Sequence, residues 1–149
     1  MSEKSIRGRG LIGGVVEGEA LVFNQALGFV GEIDPTTGEV IDARQEAKDQ
    51  NIANKILIIR NFRGSTAGSG VFLEAVRNKK GPLAFITINS DPILVAGAVL
   101  AEKFYNVKIP VVDEIDKSLI KEIMTGDYIS VDGNRGVIKI IRRVCRITR

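Results

Sequence analysis

Apolar and polar positions alternate along Gly10-Leu11-Ile12-Gly13-Gly14-Val15-Val16-Glu17-Gly18-Glu19-Ala20-Leu21-Val22, a pattern that predicts β-structure broken by glycines, where strands bulge or another backbone comes close. The run Lys55-Ile56-Leu57-Ile58-Ile59-Arg60 is continuous rather than alternating, as a strand covered on both faces would be. It leads into Arg63-Gly64-Ser65-Thr66-Ala67-Gly68-Ser69-Gly70. Beyond that stretch, Val71, Phe72, Ala75 and Val76 share one side of a helix that stops at Lys79-Lys80-Gly81-Pro82. The same order then repeats. Leu83–Ile88 reads as a buried strand, Asp91 as the cap of an apolar helix with Pro92 in its first turn, running through Phe104.

Residues Val107–Val112 predict a further strand, short or near an edge because Pro110 interrupts it. Asp116 predicts a helix start carrying Leu119, Ile120 and Ile123, with Gly126 at its end. Tyr128–Asp132 and Val137–Ile141, joined by Gly133-Asn134-Arg135-Gly136, predict a hairpin. Earlier in the chain, Asp34-Pro35-Thr36-Thr37-Gly38 is a turn by composition, Glu39–Ile41 a short strand and Ala43–Asn54 a polar loop or short helix. No low-complexity linker divides the chain. The expectation is an α/β fold with a mixed sheet flanked by helices, one domain over residues 1–149.

Composition narrows the chemistry. With 44% hydrophobic residues the chain can build an ordinary core, and no apolar run approaches the roughly 20 residues of a membrane span. The first five residues lack a signal-peptide core, so a soluble cytoplasmic protein is expected, with no membrane partner. There is no histidine, which closes imidazole bases, Ser-His-Asp relays and phosphohistidine carriers to this polypeptide. The sole cysteine, Cys145, cannot by itself hold a zinc ion or an iron–sulfur cluster, so no metal site is assigned to this chain. A net charge of +3 arises mainly from Lys4, Arg7 and Arg9 and from the tail Lys139–Arg149. With two tyrosines and no tryptophan to stack on bases, that tail reads as a strand face or subunit contact rather than a nucleic-acid site.

The glycine- and serine-rich stretch after Arg63 brings backbone N–H groups, hydroxyls and a positive helix end together. Such a spot suits a carboxylate or phosphate, with Arg60 and Arg63 flanking it; a plain turn that caps the next helix explains the composition equally well. It lacks the Gly-Lys-Ser/Thr ending of a phosphate-binding Walker loop. Asp113, Glu114 and Asp116 fit capping and solvation better than a metal site.

Four segments taken in order, Gly28–Asp42 around the Asp34–Gly38 turn, Arg63–Ser69, Asp91–Ala98 and Ile109–Val112, resemble the aconitase X swivel domain in its separate small-subunit form. The resemblance spans nearly the whole chain. It implies a swivelling β/β/α domain that docks on a large aconitase X-type subunit, as a heterodimer or higher assembly. The large subunit would carry the [4Fe-4S] cluster, and the pair would be a hydro-lyase. Family members dehydrate mevalonate 5-phosphate or cis-3-hydroxyproline. The separate short subunit and the Lys/Ile/Arg-rich composition favour the former, a small phosphorylated hydroxy acid, in the archaeal modified mevalonate route. The family's proton acceptor, the serine after Arg-Gly, falls on Ser65, with Arg63, Gly64, Thr66 and Ser69 around it as expected substrate contacts. One departure is local: a histidine associated with the stretch after the Asp-Pro-Thr-Thr-Gly turn is missing, the chain reading Asp42-Ala43-Arg44-Gln45-Glu46. Gly126–Gly133 is also similar to the end of phosphohistidine swivelling domains, but a chain without histidine cannot serve as that carrier. A purely structural subunit, in which Ser65 only caps the helix, is the third reading.

Overall fold

The computed structural model describes residues 4–62, 66–89 and 91–144. The chain opens with three strands, β1 (Lys4–Arg7), β2 (Arg9–Ile12) and β3 (Val15–Phe23). After a long connection come β4 (Lys55–Ile59), α1 (Thr66–Arg77), β5 (Ala84–Thr87), α2 (Pro92–Tyr105) and β6 (Val111–Asp113). The short α3 (Lys117–Ile120) precedes the hairpin β7 (Tyr128–Asp132) and β8 (Val137–Arg142). The strands form one mixed sheet in the order β1-β8-β7-β3-β4-β5-β6-β2, parallel from β3 through β6 and antiparallel elsewhere. The α/β architecture expected from the sequence is the one observed.

β1 and β2 are consecutive in the chain, yet they occupy opposite ends of this order. The sheet therefore curls until one stretch of chain, kinked at Gly8, serves both edges, which removes free edge hydrogen-bonding groups. Gly8 N–H donates to Gly136 O at 2.8 Å, and a Cβ at Gly8 would stand 2.4 Å from Asp113 O and 2.5 Å from Ile115 Cδ1. Only a bare backbone fits the crossing. Next to it the β2–β6 register sets Arg9 opposite Asp113, and the guanidinium grips that fully buried carboxylate through Nε at 3.0 Å and Nη2 at 2.8 Å. Asp113 is thus part of the closure rather than of a helix cap.

Strand periodicity of two splits the core. Leu21, Phe23, Leu57, Ile59 and Phe85 face outward onto α1, α2 and the 24–54 connection. Ala20, Ile56, Ile58 and Ile86 face inward toward Ile6, Ile129, Val131, Ile138 and Ile140 of the far strands and toward Ile120 and Ile123. On the outer side Phe29, Phe72 and Phe85 pack as a triangle with ring centroids 5.5–6.3 Å apart.

Three boundaries differ from the sequence expectation. The strand expected over Val107–Val112 begins only at Val111, after Pro110, and β2 covers its outer side, so it is no edge. The helix from Asp116 lasts only to Ile120, because Glu122 and Ile123 bond three residues back and Met124 N–H is taken by Asp127 Oδ2 at 2.9 Å. Ile123 is buried all the same. Glu39–Ile41 forms only isolated bridges, Ile33 with Val40 and Glu39 with Asn51, because its partners belong to its own loop. The turn before it is as expected, with Gly38 at φ +81°.

Candidate functional site

The parallel strands β3, β4 and β5 end on one rim of the molecule, and the C-terminal ends of parallel strands are where α/β folds commonly place their ligands. Two strand-to-helix connections leave that rim. The first follows β4 through Arg60, Asn61 and Phe62. It is pinned as far as Phe62: Leu27 N–H donates to Asn61 O at 2.9 Å, Leu27 bridges Phe62, and the Phe62 ring lies 5.9 Å from Phe29. Arg63, Gly64 and Ser65 lie outside the described residues. Thr66 opens α1, and its side chain is likewise outside the description.

Ser69, one turn into α1, is half-buried in a tight apolar gap with Gly68, Phe72, Ile93 and Leu94. Ile93 and Leu94 belong to the first turn of α2, so two helix N-termini stand side by side at the rim. They are not equivalent. Asp91 Oδ1 accepts from Ile93 N–H at 2.8 Å and Leu94 N–H at 3.3 Å, so α2 is capped by its own carboxylate. The first turn of α1 holds no acidic residue, leaving its positive end uncompensated by a charge of its own. Arg60, expected beside the loop, lines a cleft on the inner face of the sheet with Ile58 and Lys121.

The stretch 42–46 packs near this rim. Gln45 is buried, donating through Nε2 to Ala26 O at 2.8 Å and toward Glu32 Oε1 at 3.4 Å, while its Oε1 has no partner. Asp42 is gripped by Arg44, Nε to both carboxylate oxygens and Nη2 at 2.8 Å to Oδ2, and these bonds hold its carboxyl far below the usual range. Sequence reasoning missed the buried Glu32–Gln45 contact; nothing local marks it, since both residues are of types that normally face water.

Asp116 caps α3 through Ser118 N–H at 2.7 Å, and the Ser118 bonds lower its carboxyl's pKa. Among the described residues no group of three His, Cys, Asp or Glu side chains is placed to hold a metal ion. With a single cysteine, Cys145, which lies outside the described residues, the chain's donor set does not fit an iron–sulfur cluster.

The sequence model of the aconitase X swivel domain matches residues 5–140. The chain belongs to the aconitase X swivel-domain family. Two curated relatives, both named phosphomevalonate dehydratase small subunit, illustrate the similarity. That of Thermococcus kodakarensis is 38% identical over 136 residues, 91% of this chain and 96% of its own. That of Methanosarcina acetivorans is 33% identical over 137 residues, 92% and 91%. In the crystal structure of the holo-form of aconitase X from Thermococcus kodakaraensis, the matching chain superposes with a TM-score of 0.83 at 34% identity, covering 93% of this chain and 99% of that one. The aconitase X swivel fold therefore accounts for the curled sheet and the two helix starts at its rim. No helix among the described residues is long and apolar enough to cross a membrane.

Proposed function

We propose that this chain is the small subunit of a cytoplasmic phosphomevalonate dehydratase. With a large aconitase X-type subunit it converts (R)-mevalonate 5-phosphate to trans-anhydromevalonate 5-phosphate and water. The observation that carries this reading is the shared name of relatives at 33–38% identity that match this chain nearly end to end. The [4Fe-4S] cluster belongs to the large subunit, since this chain lacks the cysteines to ligate it.

The reaction breaks a C–H bond beside the carboxylate and the C–O bond on the adjacent carbon, and a double bond forms between the two carbons. Ser65 accepts the proton. A serine hydroxyl is a feeble base unless its anion is stabilised, and the position supports that role: it precedes α1, whose first turn carries no acid, and it follows Arg63. Arg63, Gly64, Thr66 and Ser69 supply charge, amides and hydroxyls to the substrate. Docking then assembles one site from two chains and excludes water from it.

Anaerobic reconstitution with the large subunit tests the reading. Mass spectrometry is expected to detect a product one water lighter from (R)-mevalonate 5-phosphate and none from cis-3-hydroxyproline. Turnover of hydroxyproline alone, or full activity without a second polypeptide, would sink it.

A further inference from the structure

A cleft of about 390 Å³ opens at the C-terminal ends of β3 and β4, on the inner face of the sheet. Its floor is apolar, built by Val22, Ile58 and Ile123, and its walls carry a cation each: Arg60 just beyond β4 and Lys121 just beyond α3. No lining side chain is acidic, and among the described residues neither cation makes an ion pair. Arg60 is half-buried at the end of a strand whose last four residues are fully buried. A guanidinium so placed has lost part of its hydration without gaining a carboxylate, which an incoming anion would repay. Thr125 adds a donor: its Oγ1 accepts from Val22 N–H at 2.9 Å, so its hydroxyl proton remains available to a ligand in the cleft.

We infer that this cleft holds the phosphate end of the phosphorylated hydroxy-acid substrate, between Arg60 and Lys121 with Thr125 donating. The inference rests on the proposed dehydratase reading for the identity of the ligand. It adds a phosphate subsite on the inner face, distinct from the loop that carries the base. The chemistry divides naturally. Proton and hydroxide leave from carbons near the carboxylate, so that end lies by Ser65 and the partner subunit. The phosphate, nearly a dianion at neutral pH, matches the two cations, which make no ion pair among the described residues.

Two measurements test it. In the reconstituted complex, Arg60→Ala and Lys121→Ala should each raise KM for the phosphorylated substrate about tenfold or more, with a smaller fall in kcat. Both should abolish competitive inhibition by inorganic phosphate, and Arg60→Lys should restore part of each. Separately, inorganic phosphate titrated into the isolated full chain should shift the amide resonances of Arg60, Lys121 and Thr125 in wild type but not in Arg60→Ala, which keeps a dispersed, folded spectrum. If wild type turns over the substrate yet both alanine variants keep its KM and its phosphate inhibition, the subsite is overturned while the dehydratase reading stands. If the wild-type complex ignores the substrate but phosphate still shifts the cleft resonances, the dehydratase reading fails and the anion site stands. No shift at those amides together with unchanged KM overturns the inference outright.

Discussion

Two consecutive strand–loop–helix units leave the same rim of this sheet, and they differ in the charge carried at the helix start. The β5–α2 unit closes its own helix start: Asp91 occupies the free amides and Pro92 fills the first turn. The β4–α1 unit begins its helix with Thr66 and no acid in the first turn, after a glycine–serine stretch. Topology is shared, so the difference lies in residue chemistry. A helix start that carries its own carboxylate gains stability and repels an incoming anion, while one without a charge of its own offers its positive end to an anion.

The largest expected effect comes from the β4–α1 unit. Ser65→Ala in the reconstituted complex should lower kcat by about a thousandfold, with assembly on the large subunit unchanged by gel filtration. Normal turnover would make Ser65 a cap and the two units alike after all. Arg9→Ala probes the closure on which both units rest. It strands the fully buried Asp113 carboxylate, and because Arg9 itself is half-exposed the loss should be about 2 kcal/mol, read from the chemical denaturation midpoint. Asp91→Ala should cost about 1 kcal/mol, or roughly 4 °C in Tm, with kcat nearly unchanged. A large kcat loss with little change in Tm would instead place the second unit in the chemistry.

The cap of α2 was legible in the sequence, because Asp91-Pro92 announces a helix start through short-range chemistry. So were β3, β4, β5 and the β7–β8 hairpin, whose signals are local runs and alternation. What escaped was long-range. The curl of the sheet joins residues about a hundred positions apart, and nothing near Arg9 or Asp113 reveals that each is the other's partner. The early end of α3 depends on Asp127 reaching back to Met124, a competition between side chain and helix that periodicity cannot register. The phosphate cleft escaped for the same reason, since Arg60 and Lys121 meet only after the sheet has closed.

The smallest effect concerns a third helix start, Asp116 at α3, which tests whether capping chemistry carries over from one site to another. Ser118 donates to its carboxylate and lowers the folded-state pKa. A depressed carboxyl pKa contributes stability above the unfolded value of about 4 and loses it as pH falls through the folded value. Asp116→Asn should therefore lower Tm slightly at pH 7, and the difference should vanish in acid below the folded pKa. Because the residue is exposed, the change will be smaller than for Asp91→Ala. Equal Tm values at pH 7 as well as in acid would instead show that the cap acts through hydrogen bonding alone, which the amide retains.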